Sequence, residues 1–399
     1  MTDLKHDALV YHEYPKPGKL SVESSKPCST QADLSLAYTP GVAEPVRAIH
    51  RDPENAYRYT NKGNLVAVIT DGTAVLGLGN VGSLASKPVM EGKAVLFKRF
   101  AGIDVFDIEV NAPSIESFIE TVVNISPTFG GINLEDIAAP HCFRIEKELR
   151  ERLDIPVFHD DQHGTAVIIS AALLNALDLQ GKILGSAKIV FLGAGAAGAA
   201  TARLLKVMGA NDITMVDKGG VIHRERADLN LLPADLARDT SARTLADVMP
   251  EADVFVGVSA ANALPAELLK GMAPNPVVFA LANPDPEILP SLAYAIRDDL
   301  VMATGRSDFP NQVNNALCFP YLFRGALDAR AKQITTAMQI AAAKALAALA
   351  REPVPQIVLD AYNLTELNYG KDYIIPKPFD PRLLERIPPC VAEAWQQEQ

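Results

Sequence analysis

Short apolar runs rich in β-branched residues alternate along this chain with longer stretches of helical periodicity, a pattern that predicts an α/β fold on parallel strands. Strands are expected at Leu65 to Thr70, Ile108 to Val110, Lys188 to Leu192, Ile213 to Val216, Val254 to Val258, Val277 to Leu281 and Val301 to Thr304, and another stops in the adjacent carboxylates of the stretch Pro156 to Ala166. Between them, Ser114 to Asn124, Thr165 to Leu177 and Ala199 to Met208 read as helices, and Gly131 to Ile137 as a strand running out into a loop. Ala326 to Ala350 is expected to be largely helical, and Pro381 to Trp395 to form a short last helix. The first thirty residues carry Pro15, Pro17 and Pro27 and read as an irregular arm of the kind that reaches a neighbouring subunit. Pro45 fits the first position of a helix. The pattern divides into an N-terminal α/β domain, 1–160, and a Rossmann-type doubly wound parallel-sheet domain with C-terminal helices, 161–399.

Composition narrows the class. With 399 residues, 48% of them hydrophobic, the chain can bury a full core and is expected to be soluble and cytoplasmic. A net charge of −11 with no basic run excludes nucleic acid as the expected partner, so an anionic substrate needs a local attractor. Neither Met1 to Val10 nor the Ala-rich tract Ile334 to Ala350 reads as a leader or membrane anchor. The four cysteines, Cys28, Cys142, Cys318 and Cys390, are too dispersed for a structural zinc site.

Gly-x-Gly-x-x-Gly occurs twice, and a dinucleotide site needs a strand before it and an unbroken helix after it, so that the pyrophosphate meets the helix N-terminus. Gly193, Ala194, Gly195, Ala196, Ala197 and Gly198 meet that requirement. The strand that follows ends in Asp217, 19 residues after Gly198, where a carboxylate reaches the adenosine ribose. By itself Asp217 favours NAD; Lys218 beside it, with Arg224 and Arg226 further on, could receive the 2′-phosphate of NADP. The earlier copy, Gly77, Gly79 and Gly82, is followed by Pro88 and Gly92, which are expected to break its helix. It reads as a second loop of backbone donors on the same cleft.

Asp160 and Asp161 stand where an apolar strand stops, the place where ligands bind in open α/β sheets. Glu135 and Asp136 form another acidic pair between Leu134 and Ile137. Glu135, Asp136 and Asp161 offer oxygen ligands without a nearby cysteine, which suits Mg²⁺ or Mn²⁺. His159 and His163 flank the aspartates without sharing a helical face, and are more often supporting groups than zinc ligands. Lys93 lies among small and apolar residues, where desolvation lowers an amine's pKa toward that of a usable base; a surface lysine at a turn is the plainer alternative. Asn283 and Asn315, in loops after strands, are suited to fixing a substrate carboxylate, and Tyr38 is presented from the Pro- and Gly-shaped loop Tyr38 to Gly41.

Taken together, Tyr38-Thr39-Pro40-Gly41, Thr70-Asp71-Gly72, Gly92-Lys93, Leu134-Glu135-Asp136, the run His159 to Ala166, Gly193 to Gly198 and Ala282-Asn283-Pro284 resemble the malic enzyme family, in order and over nearly the whole chain. The resemblance is to the short bacterial form, or to the malic enzyme portion of bacterial hybrids that carry a further phosphotransacetylase-like domain. It implies a malic-enzyme domain followed by the Rossmann domain, in a homodimer. The implied reaction is oxidative decarboxylation of L-malate to pyruvate and CO₂ with NAD(P)⁺ and a divalent metal, with oxaloacetate decarboxylation as a further activity. On that resemblance Lys93 takes the 2-hydroxyl proton, Tyr38 protonates the enolpyruvate carbon and Asp160 tunes the lysine. Glu135, Asp136 and Asp161 hold the metal, and Asn283 and Asn315 contact substrate. Likeness to short NADP-using members tips the cofactor toward NADP over NAD. Larger members carry an arginine after the Asp-Gly pair where this chain has Thr73-Ala74, so the substrate carboxylate needs another partner. Malolactic or other hydroxy-acid decarboxylating chemistry is the enzymatic alternative, to be separated by product; a non-catalytic dinucleotide-sensing module is the alternative from another class.

Overall fold

The computed structural model describes residues 4–75, 77–229 and 232–399; Leu76, in the first glycine loop, and Met1 to Asp3 lie outside the described residues. Four strands, β1 Leu65–Thr70, β2 Asp104–Glu109, β3 Gly131–Leu134 and β4 Val157–His159, form one parallel sheet in the order β2-β1-β3-β4. Six more, β5 Lys188–Leu192, β6 Asp212–Asp217, β7 Gly220–Val221, β8 Val254–Gly257, β9 Val277–Ala280 and β10 Val301–Thr304, form a second in the order β10-β9-β8-β5-β6-β7. Only β7 runs antiparallel to its neighbour. Strands buried on both faces read as continuous apolar runs, and β1, β3, β8, β9 and β10 are buried at every position.

Each sheet has one point where strand order reverses, between β1 and β3 in the first and between β5 and β8 in the second. Loops leaving neighbouring strands there diverge and open a crevice at the carboxyl ends. The helix Thr165–Leu179 joins the sheets. Its residues Ala166 to Leu173 are all buried, and all but Ser170 belong to one hydrophobic cluster with Val66 and Val68 of β1, Phe158 of β4, Ile189 and Phe191 of β5, and Phe279 of β9. At about 1.5–3 kcal/mol for each large side chain taken from water, this cluster fixes the two crevices relative to each other.

Several expected boundaries differ. The helix Ser83–Ala101 runs unbroken through Pro88 and Gly92. Its buried face, Met90, Lys93, Ala94 and Phe97, is packed edge-on at Phe97 against Phe319 and Phe323, and this packing outweighs the lost hydrogen bond and the glycine entropy. The arm begins with a helix, Leu4–Glu13, rather than irregular chain. The helix Ala43–Arg51 starts two residues before Pro45. The C-terminal helical region begins earlier, with Phe319–Asp328 and Thr336–Ala350 as separate helices, and the last helix, Arg382–Gln397, runs past Trp395. Leu4–Glu13, Gln31–Ala37 and Ala43–Arg51 bury no residue. Among the described residues no helix is long and apolar enough to cross a membrane.

Candidate active site

The crevice of the first sheet collects the acids. Chain leaving β3 presents Glu135 and Asp136, and chain leaving β4 forms a single wide π turn, Asp160–Gly164, before the joining helix. One oxygen from each of Glu135, Asp136 and Asp161 lies within 4.8 Å of the others. Asp136 adopts a left-handed backbone with φ 53, tolerable for a short polar side chain, and its amide donates to Asp161 Oδ2 at 2.9 Å. Asp136 Oδ2 is buried without a hydrogen-bond partner. Three hard oxygen donors, one of them orphaned, fit a divalent cation such as Mg²⁺ or Mn²⁺.

Burial above all, and then mutual repulsion, raises Glu135 to about 7 and Asp136 to about 8; Asp161, set among these acids but with its side chain 37% exposed, is raised in the same direction. Asp160, also buried, is pushed up to about 7. Lys93 departs from the sequence expectation. Burial alone lowers its pKa, but Asp160 and Glu135 outweigh that, and the net shift is upward. Its ammonium lies 2.7 Å from Asp160 Oδ2 and 2.9 Å from Glu135 Oε1, and 4.4 Å above the ring of Phe319. It is therefore neither a surface lysine nor, with these acids ionised around it, a neutral amine. Asn315 donates to Asp160 Oδ2 at 2.5 Å, so its amide is part of the lysine network. Gly164 makes room for that network, since a Cβ there would stand 1.9 Å from Asp160 Oδ1.

Three supporting residues were missed from sequence. Asn133 is buried and donates to Glu135 Oε2 at 2.9 Å; it lies two residues before Glu135, and the two-residue period of β3 signals it. Glu146, in the helix His141–Arg152, lies 3.0 Å from His163 Nε2 of the π turn. Buried Glu287 accepts from the amides of Ser259 and Ala282, tying the exits of β8 and β9. Nothing in the local pattern marks Glu146 or Glu287. His159 is buried with both ring nitrogens unpaired, Nδ1 3.8 Å from Asp161, and burial lowers its pKa to about 4.

The second crevice holds the later glycine loop. Gly193 (φ 118) and Gly198 are required sterically: a Cβ would meet Val258 O at 2.5 Å at the first and Gly193 O at 2.1 Å at the second. At Gly195 a Cβ would meet nothing within 4 Å, so there the backbone is open to an incoming pyrophosphate. Ala194 stays partly buried, and Ala196 and Ala197 open the helix Ala196–Val207, which packs against the π turn Asp160–Gly164. The nucleotide loop and the acidic cluster are thus adjacent. Gly77 lines a cleft of about 560 Å³ with Asn283, Pro284, Gly305 and Arg306, while Gly79 and Gly82 hold the same loop in left-handed turns. Asp217 ends β6 and is paired with Arg226; Lys218 beside it is exposed. Tyr38 is not brought to the acids within this chain: it is 69% exposed, and no hydrogen bond among the described residues joins its side chain to them.

Residues 17–150 match the family described as malic enzyme, N-terminal domain, and residues 162–361 the malic enzyme NAD binding domain. The chain is 62% identical over 397 residues to an NADP-dependent malic enzyme of Halomonas elongata, covering 99% of this chain and 94% of that one. It is 54% identical over 395 residues to an NAD-dependent malic enzyme of Rhizobium meliloti, covering 98% of this chain but only 51% of that longer protein. A crystal structure of malic enzyme from Pyrococcus horikoshii superposes with a TM-score of 0.90 at 43% identity, covering 99% of this chain and 91% of the other.

Proposed function

Because this chain belongs to the malic enzyme family, we propose that it oxidises L-malate to pyruvate and CO₂, with NADP⁺ as hydride acceptor and Mg²⁺ or Mn²⁺ at Glu135, Asp136 and Asp161. The observation that carries the proposal is the junction of three convergent carboxylates, a buried lysine and a dinucleotide loop packed on the same turn. A cation at the three acids supplies Lewis-acid stabilisation to the negative charge that develops when the β-keto acid loses CO₂. The remaining steps fall to the chain's own groups. Lys93 faces the cluster and takes the C2-hydroxyl proton as hydride leaves C2. A cation held in part by Glu135 would reduce the negative potential that keeps the proton on Lys93 and would leave the amine a usable base, oriented by Asp160. To Asn283 and Arg306, which line the cleft of about 560 Å³ beside Gly77, we assign the substrate carboxylate in place of the absent arginine. The same site decarboxylates supplied oxaloacetate, which enters after the oxidation step.

Tyr38 delivers the proton to C3 in this reading. Leu34, Leu36, Tyr38, Val42 and Val46 stand 38% to 77% exposed along one stretch of the arm. Apolar surface of that kind is normally covered, and we assign its cover to a second copy of the chain, whose docking brings Tyr38 into a cleft. The test is malate-dependent NADPH formation with the carbon product identified. Pyruvate is expected in equal amount to NADPH, and lactate without net NADPH would overturn the reading.

A further inference from the structure

Glu287, in the loop after β9, is wholly buried, and no cation is paired with it among the described residues. A carboxylate buried in that way depends on its hydrogen bonds. Oε1 accepts the Ser259 amide at 2.8 Å and the Ser259 hydroxyl at 3.3 Å, and Oε2 accepts the Ala282 amide at 3.0 Å. The backbone of the same segment adds two ties, from the Leu264 amide to Glu287 O and from the Asn262 amide to Pro286 O, each at 3.0 Å. Gly257, the last residue of β8, leaves the space, since a Cβ there would stand 2.4 Å from Glu287 Cδ. The two amides bound by this carboxylate belong to different loops. Ser259 follows Val258, which lies so close to the nucleotide loop that a Cβ on Gly193 would meet its carbonyl oxygen. Ala282 precedes Asn283, which lines the cleft with Gly77 and Arg306 and is seated against Gly305, where a Cβ would stand 2.7 Å from Asn283 Nδ2.

Resting on the reading above, which gives the glycine loop to the nucleotide and Asn283 to the substrate, we propose that Glu287 is a positioning residue that couples the two sites. Its carboxylate clamps the exits of β8 and β9 in one register, so that a ligand ordering either loop lowers the ordering cost at the other. Being wholly buried, Glu287 reaches neither ligand and acts only through the backbone of Ser259 and Ala282. A carboxylate suits this task because it offers two acceptor oxygens and charge-assisted bonds, roughly twice as strong as neutral ones. Glutamine has a single acceptor oxygen. Its amide nitrogen would face an N–H and leave one of the two loops untied.

Coupling is read as the factor by which one ligand changes the affinity of the other, a factor that must be the same in both directions. NADPH is titrated by its fluorescence against the full chain in Mn²⁺, with and without saturating oxalate, a dicarboxylate that carries no hydride to give up; melting temperature checks folding. Wild type should bind NADPH at least about fivefold more tightly when oxalate is present. Glu287→Gln should hold each ligand alone within about threefold of wild type while the coupling factor falls toward one. A purely structural role predicts a lower melting temperature and weaker binding of both ligands with the factor kept. That result, or a wild type in which the two ligands bind independently, overturns the proposal. Hydrogen exchange on wild type needs no variant: oxalate with Mn²⁺ should slow exchange at Ser259 as well as Ala282, and NADPH alone should slow it at Ala282 as well as Ser259. Protection confined to each ligand's own loop overturns the proposal even where the Gln variant does not fold. Wild type that binds neither NADPH nor NADH overturns instead the assignment of the glycine loop, and wild type that binds nucleotide but not oxalate overturns the substrate reading.

Discussion

Asparagine at position 136 should stabilise the cation-free chain while impairing its cation site. Asparagine tolerates the left-handed backbone of Asp136 and has nearly its volume, so Asp136→Asn removes charge and little else. Burial first, and then Glu135 and Asp161, push the Asp136 carboxyl from 3.8 to about 8. A group whose folded pKa is raised holds its proton more tightly in the folded chain. Its contribution is full below the unfolded value and is lost as pH rises through the folded one. For a lone carboxyl the loss grows at about 1.4 kcal/mol per pH unit and levels off at roughly 6 kcal/mol above pH ~8. Glu135 and Asp161 shed protons over the same range, so a single substitution should recover only part of this, on the order of 2 kcal/mol. Urea unfolding in EDTA reads it directly. The midpoints of wild type and variant should lie close at pH ~5 and separate by pH ~8.5, with the variant more stable. Saturating Mn²⁺ should reverse the order, adding about 2.7 kcal/mol to wild type at a hundred times its Kd. A variant no more stable than wild type at the higher pH, or a gain independent of pH, would refute the electrostatic account of the cluster.

Lys93→Ala should slow malate oxidation by roughly 10² to 10⁴ in kcat, whereas Tyr38→Phe should slow pyruvate formation on that scale but spare oxaloacetate reduction, which needs no proton at C3. Parallel assays of both reactions check this, and equal losses in both reactions for both variants would remove the division of roles. Gly195→Ala, with nothing within 4 Å of the new methyl, should leave the melting temperature unchanged and weaken nucleotide binding. Gly198→Ala, whose methyl would lie 2.1 Å from Gly193 O, should lower the melting temperature; the reverse pattern would contradict the assignment of open and closed faces to this loop.

Much of the fold was legible because its signals are local. β1 and β10 fall on the expected residues, and the helix after Gly198 follows from an Ala-rich run without Pro or Gly. The acids could be located because strands ending in carboxylates mark the crevice of an open sheet, and Glu135, Asp136 and Asp161 do lie together. What could not be read depends on residues distant in sequence. Lys93 meets Glu135 and Asp160 only after β1, β3 and β4 align, so its apolar neighbours suggested a lowered pKa where these two acids produce the opposite. Pro88 and Gly92 looked like breaks because the apolar face that overrides them packs on Phe319 and Phe323, more than two hundred residues away in sequence. Arg226 could be placed near the ribose by spacing, but its pairing with Asp217 shows only in the fold.

If the three carboxylates hold the cation at which malate is turned over, Asp161, whose side chain is 37% exposed at the open side of the cluster, is the ligand to change. Mn²⁺ binding, NADPH binding and malate turnover are measured on one preparation each of wild type and Asp161→Asn, with EDTA-treated protein as the starting point. Chelated wild type is expected to be inactive and to recover with Mn²⁺ or Mg²⁺. The variant should lose Mn²⁺ affinity and turnover together while its NADPH affinity stays close to wild type. Full malate turnover by chelated wild type, or an Asp161→Asn variant that binds Mn²⁺ as tightly as wild type, would contradict a cation held by the three carboxylates.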